Sequence, residues 1–105
     1  MNEQEHAKLL EDFIYCLNNG EYYDAHEVLE VIWFPRRFED NDEIKLLKGF
    51  INASVSFELE RKNRLEASKK VWKNYLKYIP LLDKVKSVHL NKYHDIAKEI
   101  DKIKK

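Results

Sequence analysis

The segment Glu21 to Phe34, EYYDAHEVLEVIWF, concentrates the side chains most capable of chemistry. His26 and Glu30 stand four residues apart, so on a helix they are surface neighbours, an imidazole beside a carboxylate. Such a pair can ligate a metal, move a proton or hold a polar partner. The carboxylate favours the imidazolium form while burial disfavours it, so the two influences on His26 oppose one another. The run H-E-x-x-E falls short of a zincin motif, because Glu30 stands where that motif needs a second histidine. One helix then supplies two ligands, and a third must come from elsewhere, as in carboxylate-bridged bundles. Glu58 is the candidate. It falls among Ile44, Leu47, Ile51, Ser54 and Val55, an apolar stripe where an unpaired carboxylate is costly to bury, so it requires a partner. Three readings follow for His26, Glu30 and Glu58: a structural polar network, a divalent-metal site, or a site for ligand recognition or catalysis. The network asks least of the sequence.

Other polar residues have plainer roles. Asn52 lies inside a helical stretch and can bond across to a neighbour, and Asn63 suits a left-handed or capping position before the next helix. His6, His89 and His94 have no partners at ligand spacing and are expected on solvated helix faces or ends. Cys16 is the lone cysteine, which excludes an internal disulfide and any cysteine-pair zinc site. Beside Leu9, Phe13 and Leu17 it reads as a small core hydrophobe. Trp72, Tyr75 and Tyr78 read as core and rim rather than as a base-stacking platform.

The elements that must position these residues are helices. Leu9, Leu10, Phe13, Ile14 and Leu17 recur at three- and four-residue steps, giving a first helix over residues 4–18 closed by Asn18-Asn19-Gly20. A second helix runs from about Glu21 and stops before Pro35; its apolar arc is Tyr22, Ala25, Val28, Leu29, Ile32 and Trp33, with His26 and Glu30 on the border and Glu27 turned away. The polar stretch Pro35 to Asp42 precedes a third helix, capped by Asp42 and reaching about Lys62, with apolar residues around most of its circumference. Gly49 within it points to close helix packing. A fourth helix spans Arg64 to Tyr78, and residues 81–88 and 92–104 form two short amphipathic helices, the lysine-rich last turn solvated and frayed. A faint repeat pairs Leu17 to Trp33 with Leu59 to Tyr75 at an offset of 42 residues. The expected architecture is all-α: one domain over residues 1–105, a compact bundle of five or six helices built from two antiparallel hairpins.

Composition agrees. Two glycines and two prolines in 105 residues cannot supply the turns of a many-stranded β fold, and neither Gly20 nor Gly49 opens a phosphate-binding loop. The chain lacks an apolar run of roughly 20 residues and begins without the features of a secretory signal, so a cytoplasmic protein with no membrane association is expected. The net charge of zero conceals a division: residues 1–60 hold fourteen acidic and five basic side chains, and residues 61–105 the reverse. The halves could attract one another within the fold, pair between subunits, or leave a basic surface for nucleic acid. The last is disfavoured, since no aromatic-lined sheet or helix-turn-helix pattern accompanies the lysines.

Tyr23-x-Ala25-His26-Glu27-x-Leu29-Glu30-x-x-Trp33, followed by Leu47-x-Gly49-x-Ile51 and Asn63-x-x-x-Ala67, resembles a small prokaryotic helical family catalogued as domain of unknown function 309. The resemblance spans about residues 13–78. Members often have glutamine around the glycine block, where this chain has Lys48 and Asn52, and histidine near Glu58. The resemblance implies an all-helical fold and a polar cluster around His26, Glu27, Glu30 and Trp33, with no reaction attached. A metal-dependent hydrolase needs at least three converging ligands and an open position. The sequence therefore favours a protein-interaction or structural module, with a partner protein or a second copy of the chain as its partner, over the alternative of a metal-dependent enzyme or ligand-binding protein using His26, Glu30 and Glu58.

Overall fold

Asn2 and Asn41 open their helices by the same device. The Asn2 carboxamide oxygen accepts from the Glu5 amide at 2.8 Å, and that of Asn41 accepts from Glu43 and Ile44 at 2.8 and 3.2 Å. Asn41 thus takes the capping role expected of Asp42, which sits one place inside the helix, where its charge complements the helix dipole. The computed structural model describes residues 1–105 and contains five α-helices: α1 Glu3–Asn18, α2 Tyr22–Trp33, α3 Asp42–Arg61, α4 Leu65–Tyr78 and α5 Leu90–Lys104. Short 3-10 turns at Phe34–Arg36 and Ile79–Asp83 follow α2 and α4, each with proline in its first positions. The fold is all-α.

The two hairpins α1–α2 and α3–α4 close in the same way. Gly20 (φ 70°) and Asn63 (φ 63°) adopt the left-handed conformation, and the amides that follow them, of Glu21 and Arg64, each donate at 2.9 Å to the carbonyl five residues back, Cys16 and Leu59. These turns align Gly20 with Asn63, an offset of 43 rather than the 42 suggested by side-chain similarity. Tertiary burial explains the shift, since Ala25 pairs with buried Ser68 and Ile32 with buried Tyr75 in this register.

Helix α3 lies at the centre, as its all-round apolar pattern requires, and Leu46, Leu47, Phe50 and Ala53 are fully buried. It meets α4 closely. A Cβ on Gly49 would lie 2.9 Å from the Tyr78 Cβ, and Ser56 and Ser68 each donate a hydroxyl to the other's carbonyl, at 2.9 and 2.8 Å. Small residues are what permit that approach.

The last quarter of the chain departs from expectation. Residues 81–88 form no α-helix: Pro80 belongs to a 3-10 turn that ends at Asp83, and an irregular segment leads to α5. Tyr93, Ile96 and Ile100 of α5 are fully buried, chiefly against α1. Its basic end is anchored rather than frayed, with the Lys104 ammonium 4.5 Å from the centre of the Trp72 ring. Between the acidic and basic halves, the ion pair that joins distant parts of the chain is Lys92 with Glu11 at 2.9 Å. Lys69, Lys70, Lys73 and Lys77 instead lie exposed along α4. No helix is long and apolar enough to cross a membrane.

Candidate functional site

The antiparallel course of α2 and α3 sets the first turns of α2 beside the last turns of α3. His26 is held there by its own helix: Nδ1 donates to the Tyr23 carbonyl at 2.5 Å, Nε2 lies 3.3 Å from a Glu30 oxygen, and the Tyr23 ring meets the imidazole edge-on at 4.8 Å. Across from it, Glu58 has the partner its stripe demanded. Arg61 and Lys62 both pair with its carboxylate, Lys62 at 3.5 Å, and Arg61 also donates to the Gly20 carbonyl at 2.5 Å, tying the end of α3 to the α1–α2 turn. The side chains of His26 and Glu58 then line one pocket of about 210 Å³ with Tyr22, Tyr23, Val55, Leu59 and Lys62.

The expected cluster is therefore drawn out along α2 and α3. His26 and Glu30 form one pair, and Glu58 forms another with its cations. Trp33 sits at the far end of α2, where the Lys48 ammonium lies 5.9 Å from its ring and 5.8 Å from that of Tyr78. Asn52 donates to the Lys48 carbonyl at 2.7 Å and accepts from Asn74 at 3.3 Å, linking α3 to α4. Glu27 projects outward and is exposed, as its angular position required. Asn63 is the left-handed residue of the α3–α4 turn. No group of three or more histidine, cysteine, aspartate and glutamate side chains is disposed to hold a metal ion.

A second polar cluster lies at the opposite end of the α2–α3 pair, and it corrects the expectation for two histidines. His6 and His89 are not solvated: they are 8% and 9% exposed, and their rings stack at 4.0 Å, 2° from parallel. Tyr93 donates to Glu43, and Ser87 donates to the same Glu43 oxygen at 2.8 Å. Because the Tyr93 proton is spent on Glu43, its oxygen accepts from His6 Nε2, 2.9 Å away. Burial holds the His6 pKa down at about 4, aided by His89 and Arg36 and opposed by Glu43. Burial, then the bond to Glu43, raises the Tyr93 phenol far above its ordinary value. His94, by contrast, is exposed as expected. The signal was in the spacing: His6 continues the buried row Leu10, Phe13, Leu17, and His89 begins the row Tyr93, Ile96, Ile100. Cys16 is buried, and burial pushes its thiol pKa up, so it is a core residue.

Comparison with known proteins identifies the family. The family model described as domain of unknown function 309 matches residues 10–71, which include α2, α3 and the turn at Asn63. An uncharacterised protein of Aquifex aeolicus is 30% identical over 70 residues, 67% of this chain and 20% of its own length. The chain thus spans about a fifth of that relative. No solved structure matches the chain.

Proposed function

Because the chain belongs to the family described as domain of unknown function 309, a membership that brings no reaction with it, we propose a function from its geometry: an interaction module that receives a segment of a partner polypeptide in the groove between α2 and α3. The observation that carries this reading is the pocket shared by His26 and Glu58. It is lined by Tyr22, Tyr23, Val55 and Leu59 with His26, Glu58 and Lys62 as its polar groups, a composition that accepts an apolar side chain and orients the chain bearing it. Tyr23 is 54% exposed beside it, a rigid aromatic of the type that anchors interfaces. Lys62 lines this pocket, paired with Glu58, and Lys48 stands toward the other end of α3 beside Trp33, suiting a segment with acidic groups flanking its apolar anchor.

The relative adds support, since a matching unit makes up a fifth of a longer protein, as a module would. The metal-dependent alternative fits less well. Glu58 is already engaged by two cations, and its carboxylate does not join His26 and Glu30 in a three-ligand set.

A photo-crosslinking side chain placed at Leu59 tests the reading in native lysate. The expected result is one or a few defined polypeptides captured by the parent and lost in Tyr23→Ala and His26→Ala variants whose circular dichroism is unchanged. Capture indifferent to both substitutions, or none, overturns it. A melting temperature lowered by chelator in the parent, but not in His26→Ala, would establish the metal site instead.

A further inference from the structure

The cavity beside His6 and His89 is assigned no role by the groove, and it lies at the other end of α2 and α3. We propose that this cavity binds a phosphate-type oxyanion, gripped between the edges of the two stacked imidazoles. Four observations carry the proposal. The cavity, about 310 Å³, is lined chiefly by polar groups, among them Asn2, His6, Arg36, Glu43, Ser87 and His89. Helices α1, α3 and α5 send Glu3, Glu43 and the capping-position His89 to its lining, and of the three only α5 begins without a side chain capping its free amides, so one uncapped helix end lies at the cavity.

The third observation is His89 itself. The residue is 9% exposed and lines the cavity, and its ring has no hydrogen-bond partner in the protein; its backbone amide donates to Ser87 Oγ at 3.0 Å and its carbonyl accepts from the Tyr93 amide at 3.1 Å. The unpaired ring nitrogens are open to the cavity rather than sealed in the core. The fourth is the stack. Rings 4.0 Å apart and 2° from parallel lie face over face, close enough for an N–H group of each to donate to two oxygens of one anion. The same parallel planes cannot converge two lone pairs on a single metal ion.

Of the carboxylates nearby, Glu3 lines the cavity without a partner and opposes an anion there, while Glu43 and Glu39 are engaged. Glu43 accepts from Tyr93 and Ser87 through one oxygen, and Glu39 holds Arg36 by a two-point bond at 2.9 Å through Nε and one terminal nitrogen, leaving the other terminal nitrogen free. His6 donates through Nε2 to Tyr93, so in the neutral ring Nδ1 is the bare acceptor. An anion at the cavity calls for a donor there, and binding draws one proton from solvent onto Nδ1. The groups facing His6 decide the balance: Arg36 and His89 oppose its charging, while Glu43 and the incoming anion favour it.

Titration of the protein with inorganic phosphate and with sulfate, followed by the imidazole resonances of His6 and His89 and by calorimetry, tests the proposal. Sulfate keeps its charge over the range used, so its pH dependence reads the protein. Both anions are expected to shift the two histidines together, with sulfate affinity rising up to about tenfold per pH unit from 7 toward 5, the signature of one linked proton. His89→Phe keeps a ring in the stack and removes its donors, and should weaken binding at least about tenfold. Arg36→Gln should weaken it several-fold and serves should the first variant fail to fold. Glycerol phosphate binding more tightly than inorganic phosphate identifies the phosphoryl group of a larger molecule; equal affinity identifies the free anion. Shifts confined to surface lysines, or affinity unchanged in the folded variants, overturn the proposal.

Discussion

His6 and His89 come from opposite ends of the chain and lie face to face, their rings 4.0 Å apart and 2° from parallel. The stack fastens α1 to the start of α5. Its pH dependence has a definite sign. The folded-state pKa of His6 is about 4, below the ordinary value of 6.5, so the unfolded chain binds the proton more readily. Stability from this group is therefore fully present above about pH 6.5 and is lost as pH falls toward 4. The whole effect is at most about 3.5 kcal/mol, because each tenfold loss of proton affinity on folding corresponds to about 1.4 kcal/mol. Urea unfolding at pH 7.5 and pH 5 should show the loss, and His6→Asn should flatten it while lowering stability at both. An equal slope in parent and variant would refute the assignment.

How much of the molecule is legible in its sequence depends on what range of contact fixes each feature. The helices are readable because apolar rows such as Leu10, Phe13, Leu17 repeat locally. The borders of α2, the pairing of His26 with Glu30 and the need of Glu58 for a partner also follow from helical geometry. The partner's identity does not: Arg61 is one turn further on α3, but its reach to the Gly20 carbonyl depends on how the hairpins dock. Residues 81–88 mislead because apolar residues at helical spacing after Pro80 fit a helix on paper, while the 3-10 turn is set by packing against α3. The His6, Glu43, His89 and Tyr93 cluster escapes a search by ligand spacing because it joins residues from three helices at their ends.

Gly49 tests the α3–α4 contact. Alanine there should gain about 1 kcal/mol of helix propensity over glycine. Its Cβ would also meet the Tyr78 Cβ at 2.9 Å, and that atom is fixed to the backbone of α4 rather than to a mobile side-chain end. Overpacking of this kind typically costs about 1–3 kcal/mol. Gly49→Ala is expected to lower stability by up to about 2 kcal/mol in chemical denaturation, the clash outweighing the propensity gain. A more stable variant would mean that α4 moves aside freely.

Asn63 separates a turn role from a binding role. Its φ of 63° is strained for most side chains, but free of strain for glycine. Asn63→Gly should leave the melting temperature nearly unchanged, and Asn63→Ala should cost about 1 kcal/mol. If partner capture through the α2–α3 groove persists in Asn63→Gly, the residue serves the turn alone. If capture is lost in that folded variant, its carboxamide belongs to the interface.

Tyr93→Phe removes the hydroxyl that bridges His6 and Glu43 and retains the ring packed on Phe50 at 6.1 Å. Two consequences follow. Buried groups on both sides lose a hydrogen bond, which should destabilise the protein by about 1–3 kcal/mol at pH 7.5. His6 Nε2 also loses its neutral acceptor and is left facing the Glu43 carboxylate, already 4.0 Å away, so charging the ring becomes easier in the folded state. The folded pKa of His6 should rise, and the acid-side loss of stability should shrink. Comparing parent and Tyr93→Phe by urea unfolding at pH 7.5 and pH 5 reads both effects: the curves should lie furthest apart at pH 7.5 and draw together at pH 5. A constant gap would show that the hydroxyl contributes packing or a simple hydrogen bond and does not govern the protonation of His6.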